Sequence, residues 1–310
     1  MILAAGLTPA WQRILRFSQV HLGEVNRATE AYGCASGKVI NVGLALHALD
    51  AARAKTLALI GGDTGDAIER EFAQAGVAAR WIRSAGATRV CTTLLEDSGR
   101  TTELVENAAA ASAQELEAFA AAYREEATAA TVAVLTGSLP QGTPREYYRQ
   151  LIETAPIATV ADVRGPELMA MLAASTPPLV VKPNREELAA TVGRPLGTDT
   201  ELLAAMRQLN DAGAPWVVIT QGARAVWVTS KQAAYRLQPP TVPVVNPIGC
   251  GDCLAAGIAW GIAQGLETPE AVRLGIAAAA DNVSQLLPAR IERQRVEAVA
   301  RSVAIERIDV

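Results

Sequence analysis

Short runs of apolar residues without polar alternation recur along the chain at 56–60, 131–136, 159–162, 179–182 and 216–220, each followed by turn-forming residues and most then by a helical period. Thr56-Leu-Ala-Leu-Ile60 leads through Gly61-Gly-Asp63 into an amphipathic segment at 66–75. Thr131-Val-Ala-Val-Leu-Thr136 leads through Gly137-Ser-Leu-Pro140 into a helix from about Pro144. A strand that is apolar on both faces is covered on both, and the helices between strands supply the cover. The pattern therefore predicts an α/β fold with a central, mostly parallel sheet. The apolar start, Met1 to Leu7, lacks a basic leader and runs on to Arg13 and Arg16, so it reads as the first strand. An Ala-rich stretch at 108–111 reads as a loop entering a helix at about 114–124.

Two regions depart from this rhythm. Residues 11–33 and 88–106 alternate polar and apolar positions, as in Thr88-Arg-Val-Cys-Thr-Thr-Leu-Leu-Glu96. Asp97-Ser-Gly99 between two such runs has hairpin-turn chemistry, and half-buried antiparallel strands alternate in this way. No Pro/Ser-rich linker separates them from the rest, so they read as a small sheet excursion inserted into, and not in tandem with, one domain spanning 1–310.

Composition narrows the chemistry. Among 310 residues, Lys+Arg 28 against Asp+Glu 32 gives 28 − 32 = −4, so no net field favours nucleic acid or an anionic membrane. A Ser-His-Asp triad or a multi-histidine zinc site would have to draw on the only two histidines, His21 and His47, which sit in polar or helical surroundings. Four cysteines at this length make no secreted disulfide framework, and no run of 18 apolar residues exists. A cytoplasmic protein is expected.

The most informative stretch is Asn246-Pro-Ile-Gly-Cys-Gly-Asp-Cys253, opening a small-residue helix at 254–264. Gly249 and Gly251 let the backbone turn with its N–H groups aimed one way at a helix N-terminus, an arrangement that binds anions. Asp252 at the same end would repel a phosphate held for its own sake. It has a use if it takes a proton from a hydroxyl while the amides hold the phosphoryl group under attack. A plain Asp helix cap on a Gly turn is the competing reading.

This stretch resembles the C-terminal signature of the ribokinase/PfkB-type carbohydrate kinases. In order and spacing, Gly23-Glu-Val-Asn-Arg-Ala28, Ser36-Gly-Lys-Val-Ile-Asn-Val42, Thr88-Arg89, Thr102-Glu103, Leu135-Thr-Gly-Ser-Leu-Pro140, Lys182-Pro-Asn-Arg-Glu-Glu187 and Thr220-Gln-Gly222 resemble landmarks of the branch with 1-phosphofructokinase and tagatose-6-phosphate kinase. The resemblance implies a three-layer α/β/α ribokinase-like fold and a β lid that also serves as a homodimer clasp. It implies ATP-dependent, Mg2+-assisted phosphoryl transfer to a hydroxyl of a hexose phosphate resembling fructose 1-phosphate or tagatose 6-phosphate. Asp252 would be the general base, and the Gly249, Cys250 and Gly251 amides the anion hole. Asn184 and Glu187 match an N-x-x-E element near the phosphates and metal, Glu187 acting through water. Lys182, Thr220 and Gly222 would line the nucleotide site, with Asn282 beside the adenine. Lys38, Arg27 and Arg89 would gather around a phosphate on the acceptor, and Gly37, Asn41, Glu103 and Ser138 would shape the sugar pocket.

The departures all lie on the acceptor side or are cysteines. Gln12 in Thr8-Pro-Ala-Trp-Gln12 replaces a carboxylate that orients sugar hydroxyls, and Ser36 and Val39 stand where two glycines belong, Val39 adding bulk near the sugar. Glu103-Leu-Val-Glu-Asn-Ala-Ala109 replaces the usual lid edge. Cys250 and Cys253 form a C-x-x-C at a helix N-terminus, read as small-residue replacement, a redox pair or, lacking further ligands, least well as a metal site. A binding or regulatory protein on the kinase scaffold, with a pocket too altered for turnover, is the alternative function. Gly61-Gly-Asp-Thr-Gly65 after a strand misses the dinucleotide fingerprint of a nicotinamide dehydrogenase.

Overall fold

The computed structural model describes residues 1–308, so the last two positions of the expected 1–310 domain lie outside the described residues. In chain order the strands are β1 (Ile2–Gly6), β2 (Ala10–Phe17), β3 (Glu30–Ser36), β4 (Ala54–Ile60), β5 (Ala79–Arg83), β6 (Val90–Glu96), β7 (Thr101–Val105), β8 (Val132–Thr136), β9 (Ala158–Asp162), β10 (Val180–Val181), β11 (Trp216–Ile219), β12 (Val226–Thr229), β13 (Ala234–Leu237) and β14 (Ile305–Ile308). The helices are α1 (Lys38–Asp50), α2 (Gly62–Gln74), α3 (Ala113–Ala127), α4 (Tyr147–Thr154), α5 (Gly165–Leu172), α6 (Arg185–Val192), α7 (Asp199–Asp211), α8 (Cys250–Ala263), α9 (Thr268–Val283) and α10 (Arg293–Ala300).

Ten strands form one sheet in the order β14-β13-β12-β11-β10-β9-β8-β1-β4-β5. The stretch from β11 to β5 is parallel throughout, and β12, β13 and β14 extend it antiparallel. Alternate residues of each parallel strand feed two separate cores. Ile2 and Ala4 pack with α1, α2, α8, α9 and α10, while Leu3 and Ala5 pack with α3 to α7. That two-sided burial is the physical meaning of the unbroken apolar runs. The result is the three-layer α/β/α arrangement with a second, four-stranded sheet, β3-β2-β6-β7, beside it. Among the described residues, no helix is long and apolar enough to cross a membrane.

Three details differ from the sequence pattern. The small sheet is not antiparallel throughout: β2 pairs parallel with β6. Alternation reports one buried face and says nothing of direction, and the long path from β2 to β6 through α1, β4, α2 and β5 permits a parallel pairing. The helix placed from about Pro144 begins at Tyr147, after turns closed by Thr143 N–H on Pro140 O and Tyr147 N–H on Pro144 O. The antiparallel extension β12 to β14 has no counterpart in the sequence reading; β13 and β14 break their apolar residues with Arg236 and with Glu306 and Arg307, so they leave no apolar run of the kind that marks β11.

Small residues let α8 and α9 approach closely. A Cβ on Gly257 would lie 2.6 Å from the Gly275 Cα, and one on Gly261 would lie 2.7 Å from the Ala271 Cα. Neither backbone can yield without moving a helix whose N-terminus opens the site described next. Gly257→Ala is expected to lower unfolding free energy by about 1–3 kcal/mol despite alanine's better helix propensity. Urea unfolding checks this; a variant as stable as the parent would contradict the close packing.

Candidate active site

At the N-terminus of α8 the chain turns through Gly249, whose φ of 84° is a left-handed conformation that favours glycine. Asn246, almost fully buried, shapes the approach: its side chain accepts from Ile248 N–H at 3.0 Å and donates to Leu286 O at 2.8 Å. The first turn closes when Cys253 N–H donates to Gly249 O at 2.8 Å. Among the described residues no side chain caps the helix. The amides of Gly251 and Asp252 thus stand at the positive end of the helix dipole with no intrahelical acceptor. Lys182 Nζ lies 3.5 Å from where a Cβ of Gly251 would be, so a cation adjoins the same amides.

Two carboxylates are buried here. Asp252, 7% exposed, accepts from Asn41 Nδ2 at 2.7 Å, and Asn41 Oδ1 lies 3.0 Å from the Ser36 hydroxyl. Asp162, 2% exposed at the end of β9, takes Lys38 Nζ at 3.2 Å and Lys182 Nζ at 3.3 Å. Burial works to raise the pKa of Asp162, but the two lysines more than reverse it, and the net direction is down. Asp252 moves the other way. Burial and then the charge of Asp162 push it up to about 6, against the opposing pull of Lys38, Asn41 and Lys182. For Lys38, burial favours loss of the proton, yet Asp162, Asp252 and Glu187 outweigh it and hold the ammonium charged.

Asn184 and Glu187 form a capping box at the start of α6. Asn184 Oδ1 accepts from Glu187 N–H at 2.8 Å, and Glu187 Oε2 accepts from Asn184 N–H at 2.9 Å. Glu187 Oε1 is left facing Lys38 at 4.0 Å and Arg164 at 3.9 Å. Asn184 also bridges Thr220 in β fashion, which joins the α6 terminus to the turn after β11, where Gly222 has a φ of 63°.

On the other side of the site, Gln12 is buried and donates to Thr93 Oγ1 at 2.7 Å. Glu103 sits opposite Thr93 on the outer strand β7. Gly37, φ 87°, starts α1 against the β2 backbone: a Cβ there would lie 2.7 Å from Ala10 N. The Ser138 carbonyl accepts from Thr8 Oγ1 at 3.0 Å. Arg89 donates to Thr8 O and Glu106 O, each at 3.2 Å, while its buried Nε has no partner among the described residues. Arg27 is exposed in the β2–β3 connection. Lys38, Arg27 and Arg89 are not joined by any described contact. Val39 does not crowd the sugar side, because it is buried in the core, 3.0 Å from a Cβ placed on Gly6.

Asn282 is fully buried and donates to Ile248 O at 2.9 Å and to Cys250 Sγ at 3.2 Å. Burial pushes the Cys250 thiol up to about 11, and Cys253, fully buried, is raised well above the ordinary range. A C-x-x-C pair activated for redox chemistry needs the opposite shift. Asp162 was not singled out from the sequence. The signal was present in Thr159-Val-Ala-Asp162, an acid closing an otherwise apolar strand at the carboxyl edge of an α/β sheet, where ligands bind.

The family model for pfkB family carbohydrate kinases matches residues 12–291. Phosphofructokinase-2 of Escherichia coli, solved in complex with fructose-6-phosphate, is 25% identical with a TM-score of 0.85, over 97% of this chain and 99% of that one. A possible 1-phosphofructokinase of Thermotoga maritima superposes with a TM-score of 0.90 at 18% identity, over 99% of each chain.

The raised pKa of Asp252 has a consequence for stability. Between about pH 4 and pH 6 the unfolded chain has released this proton and the folded chain keeps it, so stability falls as pH rises through that window and is level above it. The cost at pH 7 is of the order of 3 kcal/mol. Asp252→Asn should therefore be more stable than the parent by about 1–3 kcal/mol at pH 7, with the gain gone by pH 4. Denaturant melts at the two pH values check it, and a gain that does not change with pH would contradict it.

Proposed function

The chain belongs to the pfkB family of carbohydrate kinases and is a phosphotransferase with an alcohol acceptor, and we propose that it moves the γ-phosphoryl group of ATP to a hydroxyl of a hexose phosphate. The carrying observation is that one turn supplies both the amides of Gly249 to Gly251 at the start of a helix and the carboxylate of Asp252, whose proton affinity is matched to a base working near neutral pH. Asp252 accepts the hydroxyl proton as the new P–O bond forms and the bond to the nucleotide oxygen breaks. The amides and Lys182 hold the transferred group, and Lys38 adds charge at its edge. Asn184, Thr220 and Gly222 form the nucleotide side.

The residues fit a magnesium ion held in the manner usual for it, through waters and substrate phosphates with one or two carboxylates. Glu187 would hold it through water by Oε1, since Oε2 is committed to the capping box. When bound, the ion would neutralise phosphate charge.

The acceptor's own phosphate is proposed to meet Arg89, whose buried, unpartnered Nε is an unmet donor, with Lys38 and Arg27. Asn41, Gly37, Ser138, Glu103 and Gln12 would line the sugar. Fructose 1-phosphate and tagatose 6-phosphate are the substrate types proposed. The commitment of Gln12 to Thr93 favours a second reading, a sugar-phosphate-binding protein without turnover. The exposed β7 edge, carrying Leu104 and Val105, supports pairing of two lids in a homodimer.

An ATP-consumption assay over a panel of sugars and sugar phosphates tests the proposal. Turnover is expected with a hexose phosphate and not with its unphosphorylated sugar, and Asp252→Asn should lower kcat by at least ~10²-fold with the KM for ATP within a few-fold. No turnover with any acceptor, alongside measurable sugar-phosphate binding, would establish the second reading. Wild-type kcat in Asp252→Asn would remove the base.

A further inference from the structure

The segment after α9, residues 284–291, touches both halves of the site. On one side it braces the anion-binding turn: Pro288 Cβ lies 3.1 Å from a Cβ placed on Gly249, and Ala289 N–H donates at 2.6 Å to Asn282 Oδ1. Asn282 in turn holds Ile248 and Cys250 of that turn. On the other side the segment meets the lid: Leu286 and Leu287 pack against Ile14, Cys34 and Leu95 on the inner face of the small sheet. Between the two sides, Arg290 Nη2 donates to Glu71 Oε1, and the other oxygen of Glu71 accepts from Ala35 N–H of β3 at 2.6 Å. Ala35 immediately precedes Ser36, Gly37 and Lys38. A continuous hydrogen-bonded strut thus runs from the α8 terminus to the strand that begins the acceptor loop.

We propose that Arg290 and Glu71 are positioning residues that keep the lid in register with the anion-binding turn, so that acceptor hydroxyl and phosphoryl group meet in line; this rests on the kinase reading above. Two features distinguish the strut from ordinary surface pairing. Ala289, the residue beside Arg290, is the one non-glycine with positive φ among the described residues, at 59°, a conformation that persists only where its surroundings impose it. Glu71 divides its oxygens between two elements, α2 serving as the fixed post between lid and turn. Neither Arg290 nor Glu71 belongs to the proposed nucleotide or sugar contacts. Loosening the strut leaves each half-site able to bind its own substrate while spoiling their alignment, and a displacement of about 1 Å costs up to ~10² in rate.

The test uses the full-length protein with ATP and its best hexose phosphate. Arg290→Ala and Glu71→Gln are each expected to lower kcat about tenfold or more while both KM values stay within about threefold. The double variant should be no slower than the slower single one, since both break the same link. Arg290→Lys should restore part of the rate. Both side chains are partly exposed, so the variants should fold, and thermal melting confirms it; should Arg290→Ala fail to fold, Glu71→Gln and Arg290→Lys are read by the same criteria. Unchanged kcat in folded variants, or losses that multiply in the double variant, would overturn the strut. A parent protein that phosphorylates nothing would remove the kinase reading, and the strut's role with it.

Discussion

A carboxylate withdrawn from water is costly unless cations or donors meet it, and this fold withdraws two of them, Asp162 and Asp252, into one corner. The two lysines settle on Asp162, which stays charged and pins both of them. For Asp252, burial and the nearby charge of Asp162 outweigh the pull of Lys38, the Asn41 amide and Lys182, so it holds its proton more readily than an ordinary aspartate. On the proposed reading the asymmetry divides the labour: one acid would organise cations for phosphate, and the other would be free to accept a proton. Most of the surrounding architecture serves that division. β9 and β10 deliver Asp162 and Lys182 at the carboxyl edge of the sheet, α1 delivers Lys38 and Asn41, and α8 delivers Asp252 beside its own open amides.

Much of the fold was legible because parallel strands buried on both faces leave an unmistakable mark. The runs at 56–60, 131–136 and 216–220 could be neither surface strands nor long helices, and the Gly and Pro residues after them placed the turns. What the pattern could not carry was direction and short pairing. The side chains of β2 and β6 alternate alike whether the strands run parallel or opposed, and β13 and β14 interrupt their apolar residues with Arg236 and with Glu306 and Arg307. Val39 illustrates the same limit at one residue. Lys38 and Asn41 of Ser36-Gly-Lys-Val-Ile-Asn41 reach the buried carboxylates, but helix geometry turns Val39 and Ile40 into the core.

The candidate site was legible where its chemistry is local. Gly249, Gly251 and Asp252 share one turn, so spacing alone brought them together, whereas Asn184 and Glu187, which share another, were reached through resemblance to an N-x-x-E element. Asp162 left only the mark of an acid closing an apolar strand, because its importance comes from two lysines distant in sequence. Asn282 was placed beside the adenine by resemblance, and in the structure it is buried under the Gly249 turn and bonded to Ile248, Cys250 and Ala289. Long-range hydrogen bonds of that kind leave no periodic trace in a chain.

The account stands or falls on Asp252 being a base whose proton affinity is set by burial and by Asp162. The most direct measurement is kcat/KM for the acceptor against pH at saturating ATP, since this ratio reports groups of the enzyme before the acceptor binds. The account predicts an acid limb with a midpoint near 6, activity falling as pH drops through it because protonated Asp252 cannot take the hydroxyl proton. A profile that stays flat down to about pH 4, the range of an ordinary carboxylate, would contradict it.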